Sequence, residues 1–280
     1  MARIAVLGTL AVDRVVRLDR ALRVGAHQQG HALEDRCGGG AANAAVALAR
    51  AGHRVLLVSA VGDDAAGRRL LETQAAAGVD TREVAILPGA TSHSLLLVDP
   101  SGERTIVNLR RLHAPAPERL LDQELDAVYV RSRAPGLAPL LAELARRTRV
   151  IAHIPPCADG AVPAHVLVGS AADLAPGFLA DPHAGGQRAS GGLAAWTVVT
   201  HGSDGATAHG PDGPVARPAP AVRAVDSTGA GDCFAAGLVH ALAAGLPMER
   251  VLAIACAWGG AAVATDGSLP GAGFPPPDPP

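Results

Sequence analysis

Val225-Asp226-Ser227-Thr228-Gly229-Ala230-Gly231-Asp232, followed by the apolar run Cys233 to Ala244, decides the reading of this chain. Three residues with little or no side chain stand just before what reads as a buried helix. With Gly229, Ala230 and Gly231 there, the amides of the first turn are expected to be uncovered. Those amides have no partner within the helix and carry the positive end of its dipole. They form an anion cradle, and for a small-molecule enzyme a phosphate is the natural occupant. Asp232 adds a carboxylate beside the cradle, suited to take a proton from a hydroxyl that attacks a phosphoryl group. A simple cap by Thr228 or Asp232 would explain one residue. It would not explain the Gly-Ala-Gly run.

Working outward, strands alternate with helical patterns, as in βαβ units around a parallel sheet. Arg3 to Leu7 is an apolar strand ending at Gly8, and no G-x-G-x-x-G follows it, so a dinucleotide site is unsupported. Asp13 comes shortly after, near the open end of the sheet where ligands bind. Val12 to Leu18 and Ala26 to Asp35 are short and partly alternating, an antiparallel excursion. Gly38-Gly39-Gly40-Ala41-Ala42-Asn43 precedes a small-residue helix expected from about Ala44 to Ala51. Three glycines there allow either a flexible turn or close approach of a ligand. Arg54 to Ala60 is the next strand, with Asp63 or Asp64 capping a helix that runs to Ala77. Thr91 to Val98 and Glu103 to Asn108 read as a hairpin around Asp99-Pro100-Ser101-Gly102.

In the second half, Ala127 to Val130, Val150 to Ile154, Val166 to Gly169 and Thr197 to Thr200 read as further parallel strands, and Leu137 to Arg147 as a helix. Leu179 to Gly192, rich in Gly and polar residues and without period, is expected to be a mobile loop. Thr200-His201-Gly202-Ser203-Asp204-Gly205 leads from a strand into a hairpin, Ala206 to Ala219. The last helix spans about Met248 to Ala264, and the proline-rich segment from Phe274 reads as an extended tail.

Composition bounds the function. The 280 residues suffice for one large α/β domain, and with aromatics at 2% the core must be built from Ala, Val and Leu. A net charge of −2 without a Lys/Arg block argues against nucleic acid. No apolar run reaches a membrane span, and Met1-Ala2-Arg3 enters a strand and not a signal peptide, so a cytoplasmic protein is expected. Cys37, Cys157, Cys233 and Cys256 show no metal spacing and read as reduced thiols.

The octet at 225–232 resembles the Asp-x-Thr-Gly-Ala-Gly-Asp signature of the ribokinase-like (PfkB) carbohydrate kinases, and 38–43 resembles their Gly-Gly-x-x-x-Asn. The resemblance runs from Gly8 to Gly267. It implies a three-layer α/β/α sandwich with a mostly parallel central sheet and a small β-sheet lid. The kinase domain would cover 1–270, lid strands come from about 12–36 and 91–110, and 271–280 form the tail. It implies an ATP-dependent sugar kinase with Asp232 as base and Gly229, Ala230 and Gly231 as anion hole. Asp13, Gly39, Gly40 and Asn43 would contact the sugar; Thr200, Gly202, Gly205, Thr228, Gly229 and Gly231 would contact the nucleotide, with residues 259–267 beside it. ATP and Mg²⁺ are the implied cofactors, and a homodimer through the lid the implied assembly.

Three positions depart from the family. Ribokinases usually carry Lys where this chain has Gly40. Ser170-Ala171-Ala172-Asp173 stands where the family has Asn-x-x-Glu, leaving Asp173 to hold Mg²⁺ through water. Ile154-Pro155-Pro156 replaces an Asn-Pro near the acceptor pocket. Asp226 would orient the anion loop or, as in some members, bind a monovalent cation such as K⁺. Arg104 reads as a surface residue, yet with Arg110 and Arg111 it leaves a phosphorylated or acidic sugar open. A nucleoside kinase of the same fold is the nearest alternative, disfavoured by the scarcity of aromatics for a base platform. A catalytically silent sugar- or nucleotide-binding sensor is another, and a dehydrogenase the last.

Overall fold

The computed structural model describes residues 1–102, 104–154, 160–265, 267–269, 271 and 273–276. In chain order its strands are β1 (Arg3–Gly8), β2 (Ala11–Leu18), β3 (Gly30–Ala32), β4 (Arg36–Gly38), β5 (Arg54–Gly62), β6 (Asp80–Leu87), β7 (His93–Val98), β8 (Arg104–Arg110), β9 (Ala127–Arg131), β10 (Arg149–His153), β11 (Val166–Ser170), β12 (Trp196–Thr200), β13 (Ala206–Gly210) and β14 (Gly213–Arg217). Its helices are α1 (Gly40–Arg50), α2 (Ala65–Ala76), α3 (Leu137–Leu144), α4 (Pro176–Leu179), α5 (Pro182–Ser190), α6 (Ala230–Ala243) and α7 (Met248–Val263).

Nine strands form the central sheet in the order β14-β13-β12-β11-β10-β9-β1-β5-β6. All pairings from β12 through β6 are parallel; only the β12–β13–β14 meander is antiparallel. Parallel strands covered on both faces need apolar side chains on both, and alternation along β1 divides them. Ile4 and Val6 join the layer of α1, α6 and α7, while Ala5 and Leu7 join the layer of α3. The first layer is close-packed with small residues: α6 lies on α7, where Gly237 leaves room for Ala255 and Trp258. Trp258, 1% exposed, is the largest buried side chain, and truncating it to Ala would cost about 3–5 kcal/mol.

A second, five-stranded sheet joins β3, β2, β7 and β8, with β4 also on β2. The excursion and the hairpin read from sequence therefore meet in one layer. Its outer strand β8 is exposed along its whole length.

Two expectations change. The stretch 179–192 is not a mobile loop: α5 occupies 182–190, with Pro182 in its first turn and the Asp181 carboxylate accepting from the Ala184 amide at 3.0 Å. Its glycines are contact surfaces, Gly185 against Phe178 and Gly186 against Thr197. Helix α1 begins at Gly40, not Ala44. The pairing of β6 beside β5 is a further strand that sequence periodicity did not single out. Pro155 and Pro156, and the end of the tail, lie outside the described residues. Among those residues no helix is long and apolar enough to cross a membrane.

Candidate active site

Because the strands run parallel, their C-terminal ends share one edge: Gly8 pairs with Arg131, and Ser170 with Thr200. Helix α6 starts at this edge. Gly229, at its N-cap, has φ 79° and no side chain caps the helix, so capping by Thr228 does not account for the motif. A Cβ on Gly229 would also overlap the Ser268 carbonyl oxygen. The Ala230 amide donates to Ser227 O at 3.3 Å and the Asp232 amide to Gly229 O at 3.0 Å. No backbone acceptor for the Gly231 amide is found among the described residues, and nothing lies within 4 Å of where a Gly231 Cβ would stand. The first turn of α6 is therefore open at Gly231.

Asp226 holds the loop in place. Its carboxylate accepts from the Thr228 amide at 2.8 Å, the Gly267 amide at 3.3 Å and Arg36 Nη1 at 3.3 Å. Burial works against its charge, but these donors outweigh it and keep the group below the usual carboxylate range. Arg104, from β8, donates to Ser227 Oγ at 3.2 Å, so the small sheet touches the anion loop directly.

Asp232, in the first turn of α6, is 7% exposed. Asn43 Nδ2 donates to its Oδ2 at 2.7 Å, and Arg131 Nη1 lies 3.0 Å from its Oδ1. The Asn43 side chain is buried, and its own Oδ1 finds no partner among the described residues. The two glycine-led motifs, 189 residues apart in sequence, thus meet in one hydrogen bond. Arg131 was not evident from sequence. The only signal was an arginine ending an otherwise apolar strand. Burial opposes its charge, while Asp232 and Tyr129 outweigh that, so the guanidinium stays charged.

Asp13 is 8% exposed on β2. Burial raises its pKa above the usual value, and a hydrogen bond from Ser94 and the charge of Arg111 counter only part of that. The glycines before α1 are largely filled by the chain itself. A Cβ on Gly38 would overlap the Asp13 carboxylate, one on Gly39 (φ 99°) the Thr9 carbonyl, and one on Gly40 the Arg131 side chain.

Towards the β12 edge, Thr200 Oγ1 donates to Gly169 O at 3.4 Å, and Gly202–Asp204 form a 3₁₀ turn closed by His201 N to Gly205 O at 2.8 Å. A Cβ on Gly205 would overlap Arg217 O. Asp173 is exposed in a turn closed by its amide on Ser170 O at 3.0 Å. The end of α7 adjoins the segment leading into the anion loop, with Val225 N donating to Val263 O at 2.9 Å.

The sandwich thus carries, at one edge of its parallel sheet, a glycine-led helix that presents a buried carboxylate beside an open amide. Residues 1–147 and 165–272 match the pfkB family of carbohydrate kinases. The chain is 31% identical over 96% of its length to the ATP-dependent ribose-1-phosphate kinase of Halopiger xanaduensis, covering 94% of that protein. It is 28% identical to the ribokinase of Bacillus subtilis, covering 91% of this chain and 90% of the relative. In three dimensions it resembles the ribokinase of Thermotoga maritima (TM-score 0.77, 21% identity, 96% and 95% of the two chains) and the ADP complex of the ribokinase of Cryptococcus neoformans var. grubii (TM-score 0.75, 24% identity, 96% of each). The protein belongs to the pfkB family of carbohydrate kinases and is an ATP-dependent kinase of the ribokinase fold.

Proposed function

We propose that the protein transfers the γ-phosphoryl group of ATP to a hydroxyl of a small sugar, with Asp232 as the general base. The observation that carries this is the placement of Asp232: buried in the first turn of α6, one oxygen held by Asn43, next to the open amide of Gly231. Asp232 takes the proton of the acceptor hydroxyl as that oxygen attacks the γ-phosphorus. The bond from phosphorus to the bridging oxygen breaks, and ADP leaves with the electron pair. The Gly231 amide and the positive end of α6 offset charge on the transferring group. Asn43 keeps the carboxylate aimed, and Asp226 keeps the loop shaped. Asp13, at the mouth of β2, suits the hydroxyls of the acceptor.

Thr200, Gly202, Gly205 and the end of α7 are proposed to flank the nucleotide. No group of three or more His, Cys, Asp or Glu side chains able to hold a metal is found among the described residues. That fits Mg²⁺ carried on nucleotide phosphates and water, with Asp173 as an outer helper, better than a protein cage. Mg²⁺ would there neutralise phosphate charge. Asp226, engaged by two amides and Arg36, is assigned to loop shape before cation binding. Ile106, Val107 and Leu109 on β8 are exposed, which suits pairing of two copies through the small sheet; a monomer by sedimentation velocity would remove that assembly.

The test is coupled ADP release with Mg-ATP against sugars, sugar acids, phosphosugars and nucleosides. Turnover on a sugar or phosphosugar is expected. Turnover confined to nucleosides would overturn the acceptor class, and silence across the panel would overturn the reading.

A further inference from the structure

Near the C-terminal edge of the central sheet lie two buried carboxylates, each faced by an arginine. Arg111 donates to Ser94 Oγ at 3.1 Å and lends its charge to Asp13, and Arg131 lies 3.0 Å from Asp232 Oδ1. The second pair is the unusual one. Asn43 takes Oδ2 of Asp232 and Arg131 stands at Oδ1, where an acceptor hydroxyl would deliver its proton. Arg131 reaches this place only because position 40 is glycine, since a Cβ there would overlap its side chain. It also lies 3.3 Å from His153 Nδ1, and its charge is felt by Tyr129 and reached by that of Asp173. Its side chain is nonetheless 31% exposed, so a ligand at this edge of the sheet can touch it.

A neutral sugar that moved Arg131 off Asp232 would leave a largely buried guanidinium without an anion, which is costly. An acceptor bearing its own phosphate would replace the lost partner with a better one, because guanidinium and phosphate match through two parallel hydrogen bonds. Resting on the assignment of Asp232 as base, we infer that Arg131 is the specificity-determining residue for a phosphorylated sugar acceptor. In the free protein it latches the base; the acceptor's phosphate draws it away. Recognition of the anion and exposure of Asp232 Oδ1 are then one event, and Gly40 is part of the device.

Ribose 1-phosphate and ribose are the probes, titrated calorimetrically into the full chain without ATP and then used as acceptors with Mg-ATP. The wild type should prefer ribose 1-phosphate by about ten- to a hundredfold, the scale of a hydrogen bond to a charged group. Arg131→Gln should abolish most of that preference, in KM more than in kcat, and Arg131→Lys should restore part. Gly40→Ala, which crowds the guanidinium without removing it, should also weaken the preference; its melting point and that of Arg131→Gln report whether each variant folds. A preference unchanged in Arg131→Gln, or a wild type that favours ribose, overturns the inference. An anion preference carried by Arg131 in the titration, with no turnover on either compound, would sustain the binding role and remove the latch along with the kinase reading.

Discussion

Helices α1 and α6 begin alike and serve differently. Each is led by glycines, each has a glycine of positive φ at its N-cap, and neither is capped by a side chain. At α1 the space left by the missing side chains is occupied by the protein: Thr9 behind Gly39, Arg131 against Gly40. At α6 the N-cap Gly229 is likewise backed by Ser268, but the surface of Gly231 is open. The same local chemistry therefore provides close packing at one helix and an open backbone surface at the other. What differs is what the tertiary fold brings against it.

Substitutions separate these uses. Gly231→Val places a side chain into open space, so its melting temperature should stay near wild type while turnover falls about 10²–10³-fold, the scale of a lost transition-state donor. A melting point that collapsed with the rate would mean that Gly231 is packing, as at α1. Gly39→Ala should do the reverse. At φ 99° and ψ 126° an ordinary residue is strained by about 1–3 kcal/mol, and the overlap with Thr9 O adds to it. A chemical-denaturation midpoint unchanged by Gly39→Ala would dissolve the contrast.

The smallest effect concerns His153, 3.3 Å from Arg131 Nη1. His153 is held to a pKa of about 3 by burial first, then by the charges of Arg131 and Arg133. The unfolded chain takes up this proton first as pH falls. The stability contributed is therefore present above about pH 6.5 and drains away towards pH 3. Melting points between pH 7 and 5 should fall less steeply in His153→Gln. An identical slope would show that His153 titrates alike in the folded and unfolded chains, and so is not shifted by its surroundings.

Much of this was legible in the sequence because it is written locally. The strand–helix alternation fixes the parallel sheet, and the octet 225–232 marks α6 and its carboxylate. What escaped was long-range. Arg131 is 101 residues from Asp232 in sequence, and an arginine at a strand end reads as a solvent-facing residue until the fold folds it over Gly40. The start of α1 was misplaced because glycines disfavour helix, and only the tertiary contact explains their presence. Helix α5 was hidden for the same reason: Gly185 and Gly186 look like loop residues, yet they admit Phe178 and Thr197.

The central claim is that Asp232 is the base, and Asp232→Asn tests it most directly. The change keeps shape and the potential hydrogen bond to Asn43 but removes the proton acceptor. Single-turnover phosphoryl transfer, with nucleotide and acceptor binding measured alongside by calorimetry, should show both ligands still bound and the chemical step slowed about 10²–10⁴-fold. A variant that binds both and retains most of its rate would contradict the account.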